Sequence, residues 1–412
     1  MLLNRKNFIL IINLLLFIPT LKSKLQNPSY KFETEIISGS LENNIELNNE
    51  ILKFANQTNH YLNTDCFDFF KTEIVRNPKK GRYLHLINGG QIEIVTTEDN
   101  EEIECTYFNR NSDQLLIIGA GFTNAREIMT PFIAMFENYD LVIFDYRGHG
   151  YKEKSWLKPW TWERPRFKVD NRKVKLGAVE EKDVFAVFDH FKNIKSYTKI
   201  NGLGICYSSL IFVKAQSIKE NKNEKFFDKL ILDGCWLSVE NFTDKLMVDP
   251  KLLFKPQTGG WSESWIVKHP CFKPLMYKLR NYLAGGTPPN TKMLDYLPKI
   301  NQTPILLWYG KNDLTVTREE FENILSNINT KHTIAIITSN PHVINHLKQK
   351  ELYKMICELF LEKNQKEFIN CLQNVETLKN NYHFETQLEF KNYDYYYDEE
   401  CDLLMTPYYL PF

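Results

Sequence analysis

Between residues 114 and 361, short apolar runs alternate with stretches of helical periodicity, and this alternation admits few architectures. The runs are Gln114–Ile118, Leu141–Phe144, Lys199–Ile205, Lys229–Asp233, Pro304–Trp308 and Thr333–Ile337. Each is too short for a stable helix and apolar at its centre, as in strands buried on both faces. Ala125–Glu137, Leu176–Asn193, Ser208–Ser217 and Lys348–Leu361 place apolar residues at helical spacing; in the second, Val184, Val187, Phe188 and Phe191 form one stripe. Strands joined by helical crossovers form a mostly parallel sheet with helices on both faces, so the fold class is α/β. Upstream, Tyr83–Ile87 and Gln91–Thr96 read as strands joined at Gly89-Gly90, and Ile103–Phe108 as a third. Ligands of such sheets bind beyond the carboxyl ends of the strands, so the residues after each strand deserve the closest reading.

The richest of these follow Lys199–Ile205. Gly204-Ile205-Cys206-Tyr207-Ser208-Ser209 lies between a strand and a helix. A nucleophile elbow has the pattern Gly-x-nucleophile-x-Gly in that setting, with small residues because the turn is sharp. Cys206 holds the nucleophile position, and Ser208 stands where a second Gly is usual. Further landmarks follow in order. Leu115-Leu116-Ile117-Ile118-Gly119-Ala120-Gly121-Phe122 is a strand and turn. Tyr139-Asp140-Leu141-Val142-Ile143-Phe144-Asp145-Tyr146-Arg147-Gly148-His149-Gly150 is a strand with an Asp-x-Arg-Gly-x-Gly turn. Asp313 follows the run from Ile305 to Asn312, and His342 and His346 follow the last strand.

In these motifs, over roughly residues 83–361, the chain resembles the α/β-hydrolase superfamily, with Ala120 in place of a usual His. Its Cys resembles that of dienelactone hydrolases and of the acyl-CoA thioesterases and acyltransferases of the same fold. The resemblance implies a nucleophile at Cys206, an orienting acid at Asp313 and a base at His342, with His346 as the alternative. It also implies an oxyanion site made by the backbone N–H groups of Phe122 and Tyr207. Asp145 and Arg147 are expected to organise their turn, and His149 to lie at the surface. No cofactor or metal is implied. The implied function is cleavage of a small-molecule ester or thioester through an acyl-enzyme. An acyltransferase, or a non-catalytic binding protein of the same fold, are the alternatives.

The implied organisation is a hydrolase domain over 81–364, with residues 236–300 as a cap insertion carrying Trp236, Trp261, Trp265, Phe272 and Tyr277. Residues 24–80 form a polar, Asn-rich arm. In residues 1–23, Arg5 and Lys6 precede the apolar run Phe8–Ile18, the pattern of a signal peptide. Secretion or export is therefore expected, and membrane attachment only if that segment is retained. Eight cysteines include no C-x-x-C pair, which argues against a zinc site of that type. Lys and Arg number 51 and so do Asp and Glu, so the basic surplus of a dedicated nucleic-acid binder is missing. The balance is uneven along the chain. Residues 151–176 hold nine basic residues against three acidic ones, while the tail over 365–412 is acidic and Tyr-rich at 393–397. The basic stretch is placed to meet an anionic substrate group, the acidic tail or solvent.

Overall fold

The computed structural model describes residues 78–122, 125–150, 173–248, 291–330, 333–338, 340, 342–348, 350–364, 367–368, 384–390 and 393–398. The expected signal peptide, the N-terminal arm to residue 77, most of the basic stretch and residues 249–290 of the expected cap lie outside the described residues.

The chain opens with helix α1 (Pro78–Ile87), then strands β1 (Gln91–Thr96), β2 (Glu102–Phe108) and β3 (Gln114–Gly119). Here the structure corrects the expected strand at 83–87. Pro78 begins a helix, as its fixed φ and missing N–H allow. The Gly89-Gly90 pair ends that helix rather than turning a hairpin: Gly90 N–H donates to His85 O at 2.8 Å, and Gly89 takes a positive φ of 81°. A Cβ on Gly90 would lie 2.6 Å from Thr106 Cγ2, so the helix end rests directly on β2.

After β3 the expected helix over 125–137 divides. A 3-10 turn, Arg126–Met129, gives way to helix α2 (Pro131–Met135), because Pro131 lacks the N–H that would continue the ladder. Strand β4 (Asp140–Phe144), helix α3 (Glu181–Ile194), strand β5 (Lys199–Ile205), helix α4 (Tyr207–Asn221), strand β6 (Leu230–Asp233) and helix α5 (Val239–Val248) follow. Then come β7 (Ile305–Gly310), α6 (Arg318–Ser326), β8 (Thr333–Thr338), α7 (Asn345–Lys348) and α8 (Lys350–Glu362). Helix α3 starts five residues later than its periodicity suggests. Leu176 and Gly177 take positive φ, and the Glu180 carboxylate accepts from the N–H groups of Lys175 at 2.6 Å and Gly177 at 2.8 Å, folding them into a turn.

The strands form one sheet in the order β1-β2-β4-β3-β5-β6-β7-β8-β10-β9. From β4 through β3, β5, β6 and β7 to β8 every pair is parallel; β1 and β2 attach antiparallel at one end. At the other end, part of the segment read as a tail forms β9 (Phe384–Phe390) and β10 (Tyr393–Asp398). Strand β10 pairs parallel with β8 from Tyr395↔Ala335 to Asp398↔Thr338.

Side chains alternate across the strands, so each strand feeds two cores. Leu115 and Ile117 join one core with Leu307, Tyr309 and the apolar stripe of α3. Leu116 and Ile118 join the other with Leu306, Trp308 and α8. Helix α4 is buried on nearly all sides, from Tyr207 to Ser217, as suits the helix that follows the central strand. The ends of the segment expected to form a cap are drawn together: Met293 N–H donates to Leu237 O at 2.8 Å. Among the described residues, no helix is long and apolar enough to cross a membrane.

Leu116 has no exposed surface. Leu116→Ala should lower unfolding free energy by about 2–5 kcal/mol, from lost transfer energy and the cavity left behind. Urea titration at constant m-value measures this.

Candidate active site

Three strand ends converge at the carboxyl edge of the sheet. At the first, β5 passes into α4 through Cys206, which takes φ 58° and ψ −115°. A positive φ at a non-glycine residue costs about 1–3 kcal/mol and persists where its surroundings enforce it. Here they do. Cys206 N–H donates to Asp233 O at 2.8 Å, and Ser209 Oγ donates to Gly204 O at 2.7 Å. A Cβ on Gly204 would lie 2.8 Å from Ser209 N, so only glycine lets the helix start this close to the strand.

Ser208, the departure from the elbow pattern, is accommodated from across the sheet. Its hydroxyl donates to Ala120 O in the turn after β3. A Cβ on Gly119 would lie 2.6 Å from Ser208 Oγ, so Gly119 supplies the space that a second elbow glycine would have left. This contact joins the turn bearing Phe122 to the helix end bearing Tyr207, whose rings pack at 5.4 Å between centroids. Cys206 and Phe122 are half-buried, whereas Tyr207 is fully buried.

The other two strand ends bring Asp313 and His342 together. One Asp313 carboxylate oxygen accepts from the N–H groups of Thr315 at 2.7 Å and Val316 at 2.9 Å. The other lies 2.5 Å from His342 Nδ1. Nδ1 therefore carries the proton donated to Asp313, and Nε2 is the edge left for chemistry. Nε2 has no hydrogen-bond partner among the described residues, and the Cys206 thiol is near enough to bear on the ring's charge. Burial alone would lower the His342 pKa. The charges of Asp313 and Cys206 and their hydrogen bonds outweigh it and hold the ring well above its ordinary value. Gly234, after β6, makes room: with φ 65°, its added Cβ would lie 2.8 Å from His342 Cε1.

The structure thus brings Cys206, Asp313 and His342 together and leaves His346 out. His346 stacks on Phe132 at 4.6 Å, and burial pushes its pKa down to about 3, so it is a neutral core residue. His149 departs from its expected surface position, being only 7% exposed. Its turn is pulled inward because Asp145 binds the buried Arg126 through N–H and Nη1, each at 2.7 Å. Arg147 likewise spans Asp183 and Asp99, at 2.8 Å from Nε and 2.7 Å from Nη1. Asp145 and Arg147 therefore do organise their turn. Among the described residues, no group of three or more His, Cys, Asp or Glu side chains is placed to hold a metal ion.

Asp233 and Asn345 escape the sequence reading. Asn345 Oδ1 accepts from Thr338 Oγ1 at 2.6 Å and Asn340 Nδ2 at 3.0 Å, while its Nδ2 donates to Asp233 Oδ1 at 3.3 Å. The loop carrying His342 is thereby tied to β6. Burial pushes Asp233 up to about 7, although the charge of His342 and the Asn345 bond pull against it. A carboxylate closing an otherwise apolar buried strand, Leu-Ile-Leu-Asp, was the available signal.

No protein-family model and no curated protein matches the chain. Solved structures do. An esterase from Exiguobacterium antarcticum aligns with 19% identity over 66% of this chain and 100% of its own, at a TM-score of 0.45. An esterase from Pyrococcus furiosus aligns with 20% identity over 66% of this chain and 90% of its own, at a TM-score of 0.50. The fold is that of the α/β hydrolases. Within an α/β-hydrolase fold, Cys206, Asp313 and His342 lie after β5, β7 and β8, at the carboxyl edge of the sheet where ligands bind.

Two outcomes test this geometry. Gly234→Ala should push His342 off Asp313, so the low-field proton NMR signal of Nδ1–H should vanish while far-UV circular dichroism is kept. Asp233 gains its proton more readily folded than unfolded, so its contribution to stability is full below the unfolded carboxylate range and is lost as pH rises through about 7. Asp233→Asn should therefore gain stability relative to the native protein between pH 4 and pH 8, measured by urea titration at each pH.

Proposed function

We propose that this chain is a hydrolase that cleaves esters, thioesters included, through a covalent intermediate on Cys206. The observation that carries the reading is the buried His342, held at 2.5 Å by Asp313 beside a Cys206 of strained backbone. Cys206 Sγ attacks the substrate carbonyl carbon as a thiolate, its proton held on His342 Nε2. The carbonyl oxygen becomes an oxyanion, which the N–H groups of Phe122 and Tyr207 receive. The carbon–oxygen or carbon–sulfur bond breaks, and the leaving group takes the proton from Nε2. Water then adds to the acyl-thioester as Nε2 accepts its proton, and the acid departs with the thiol restored. Asp313 keeps the ring oriented and stabilises its positive form throughout. No step calls for a cofactor.

The experiment is incubation with 4-nitrophenyl butyrate, following nitrophenolate release and intact mass. The native chain should release nitrophenolate and gain the mass of one butyryl group, traced to Cys206. Cys206→Ala should lose the adduct and at least about 10³-fold in rate, because a triad without its nucleophile keeps little catalysis. Asp313→Asn should keep the fold and lose about 10³-fold or more, because the ring loses both its tautomer and its counter-charge. Absence of an acyl adduct in the native chain, or undiminished turnover in Cys206→Ala, would overturn the reading.

A further inference from the structure

The loop that carries His342 runs from Thr338, the last residue of β8, to Asn345, the first of α7. It holds one strained residue. Val343, next to His342, takes φ 46°, a left-handed conformation that a β-branched side chain adopts only where its surroundings enforce it. The loop is pressed onto the end of β6, where only glycine fits: a Cβ on Gly234 would lie 2.5 Å from Val343 Cγ1 and 2.8 Å from His342 Cε1.

The Asn345 amide closes this loop. Asn345 and Thr338 are fully buried, and Asn340 is 1% exposed. Thr338 Oγ1 donates to Asn345 Oδ1 at 2.6 Å and accepts from Asn340 N–H at 3.2 Å. Asn340 Nδ2 donates to the same Asn345 Oδ1 at 3.0 Å. Both ends of the loop are thus fastened to one side chain, whose Nδ2 donates outward to Asp233 Oδ1 at 3.3 Å. Buried hydrogen bonds of this kind favour one arrangement, because a shift strands their donors where no water replaces the partner.

Asp233 joins this side chain to the elbow. Its backbone carbonyl accepts from Cys206 N–H at 2.8 Å and from Ser209 Oγ at 3.3 Å, while its carboxyl group accepts from Asn345. One residue therefore holds both the Cys206 backbone and the His342 loop. Asp313 meets the ring at Nδ1 and fixes which way it faces; the loop fixes where it sits.

We propose that Asn345 is a positioning residue, whose side-chain amide, bonded to Thr338, Asn340 and Asp233, holds the His342 loop in register with Cys206. Releasing the amide lets Val343 relax out of the left-handed region and carries His342 with it. The proposal rests on the reading of Cys206 as nucleophile and His342 as base.

The test follows 4-nitrophenyl butyrate turnover and, separately, the low-field proton NMR signal of His342 Nδ1–H. Asn345→Leu and Asp233→Leu should each lower kcat by about ten- to a hundredfold, the order that a misplacement of up to about 1 Å costs, with KM little changed. The Nδ1–H signal should shift or broaden in both. The double variant should lose no more than either single one, because both release the same bond. Asp233→Asn, which keeps an acceptor for Asn345, should recover most of what Asp233→Leu loses. Thr338→Val keeps the side-chain shape and removes one bond to the amide. It should show a smaller loss of the same kind, and it decides the matter should Asn345→Leu fail to fold. A folded Asn345→Leu with native kcat and an unmoved Nδ1–H signal overturns the proposal, as do losses that add in the double variant. A native chain that neither turns over the ester nor gains an acyl group overturns the esterase reading instead. The Nδ1–H signal then decides alone whether Asn345 positions His342.

Discussion

The close seating of the α4 N-terminus against β3 and β5 is the contact on which the carboxyl edge depends. It requires glycine at 119 and 204, where a Cβ would fall 2.6 Å from Ser208 Oγ and 2.8 Å from Ser209 N. The same seating forces Cys206 to positive φ and brings Ser208 to the carbonyl of Ala120. One approach of helix to sheet thus sets the Cys206 backbone, the helix amides next to it and the neighbouring turn together. Bonds from β6 and from within the elbow fix the strained residue from two sides, which is how a local cost of a few kcal/mol is borne by a well-packed fold.

Around His342 two carboxyl groups are handled differently. Asp313 has donors on both oxygens, two backbone amides and the imidazole. Asp233 receives a single 3.3 Å bond from Asn345, and its second oxygen has no partner among the described residues. The placement of donors, rather than proximity to the ring alone, distinguishes the carboxylate that holds the histidine from the buried one that braces its loop.

The parallel strands were legible because each is an apolar run with sharp ends, and the placing of Cys206, Asp313 and His342 at strand ends because they follow those runs in order. What remained hidden was set by tertiary contacts. The segment at 83–87 is apolar enough for either element, and Pro78 with the Gly89-Gly90 stop makes it helical. Helix α6 went unread although Thr317 and Glu320 cap it reciprocally, Glu320 accepting from Thr317 N–H at 2.8 Å; its polar surface masks the periodicity. His149 looked like a surface residue because nothing local reveals that Arg126 draws its turn inward. The choice between His342 and His346 turns on a distance to a residue about thirty positions away, which spacing cannot supply. The partnership of Gly119 with Ser208 was equally invisible, since it joins residues 89 positions apart.

The pairing of β10 with β8 bears on how the molecule keeps company. Strand β8 leads directly into the loop of His342, and without β10 its outer row of backbone N–H and C=O groups would face solvent. Such a bare edge is a template for strands of other chains, and a parallel apolar one invites stacking into aggregates. The hairpin of β9 and β10 occupies that template with a segment of the chain itself. The C-terminal hairpin thus closes the sheet edge beside the strand that leads to His342.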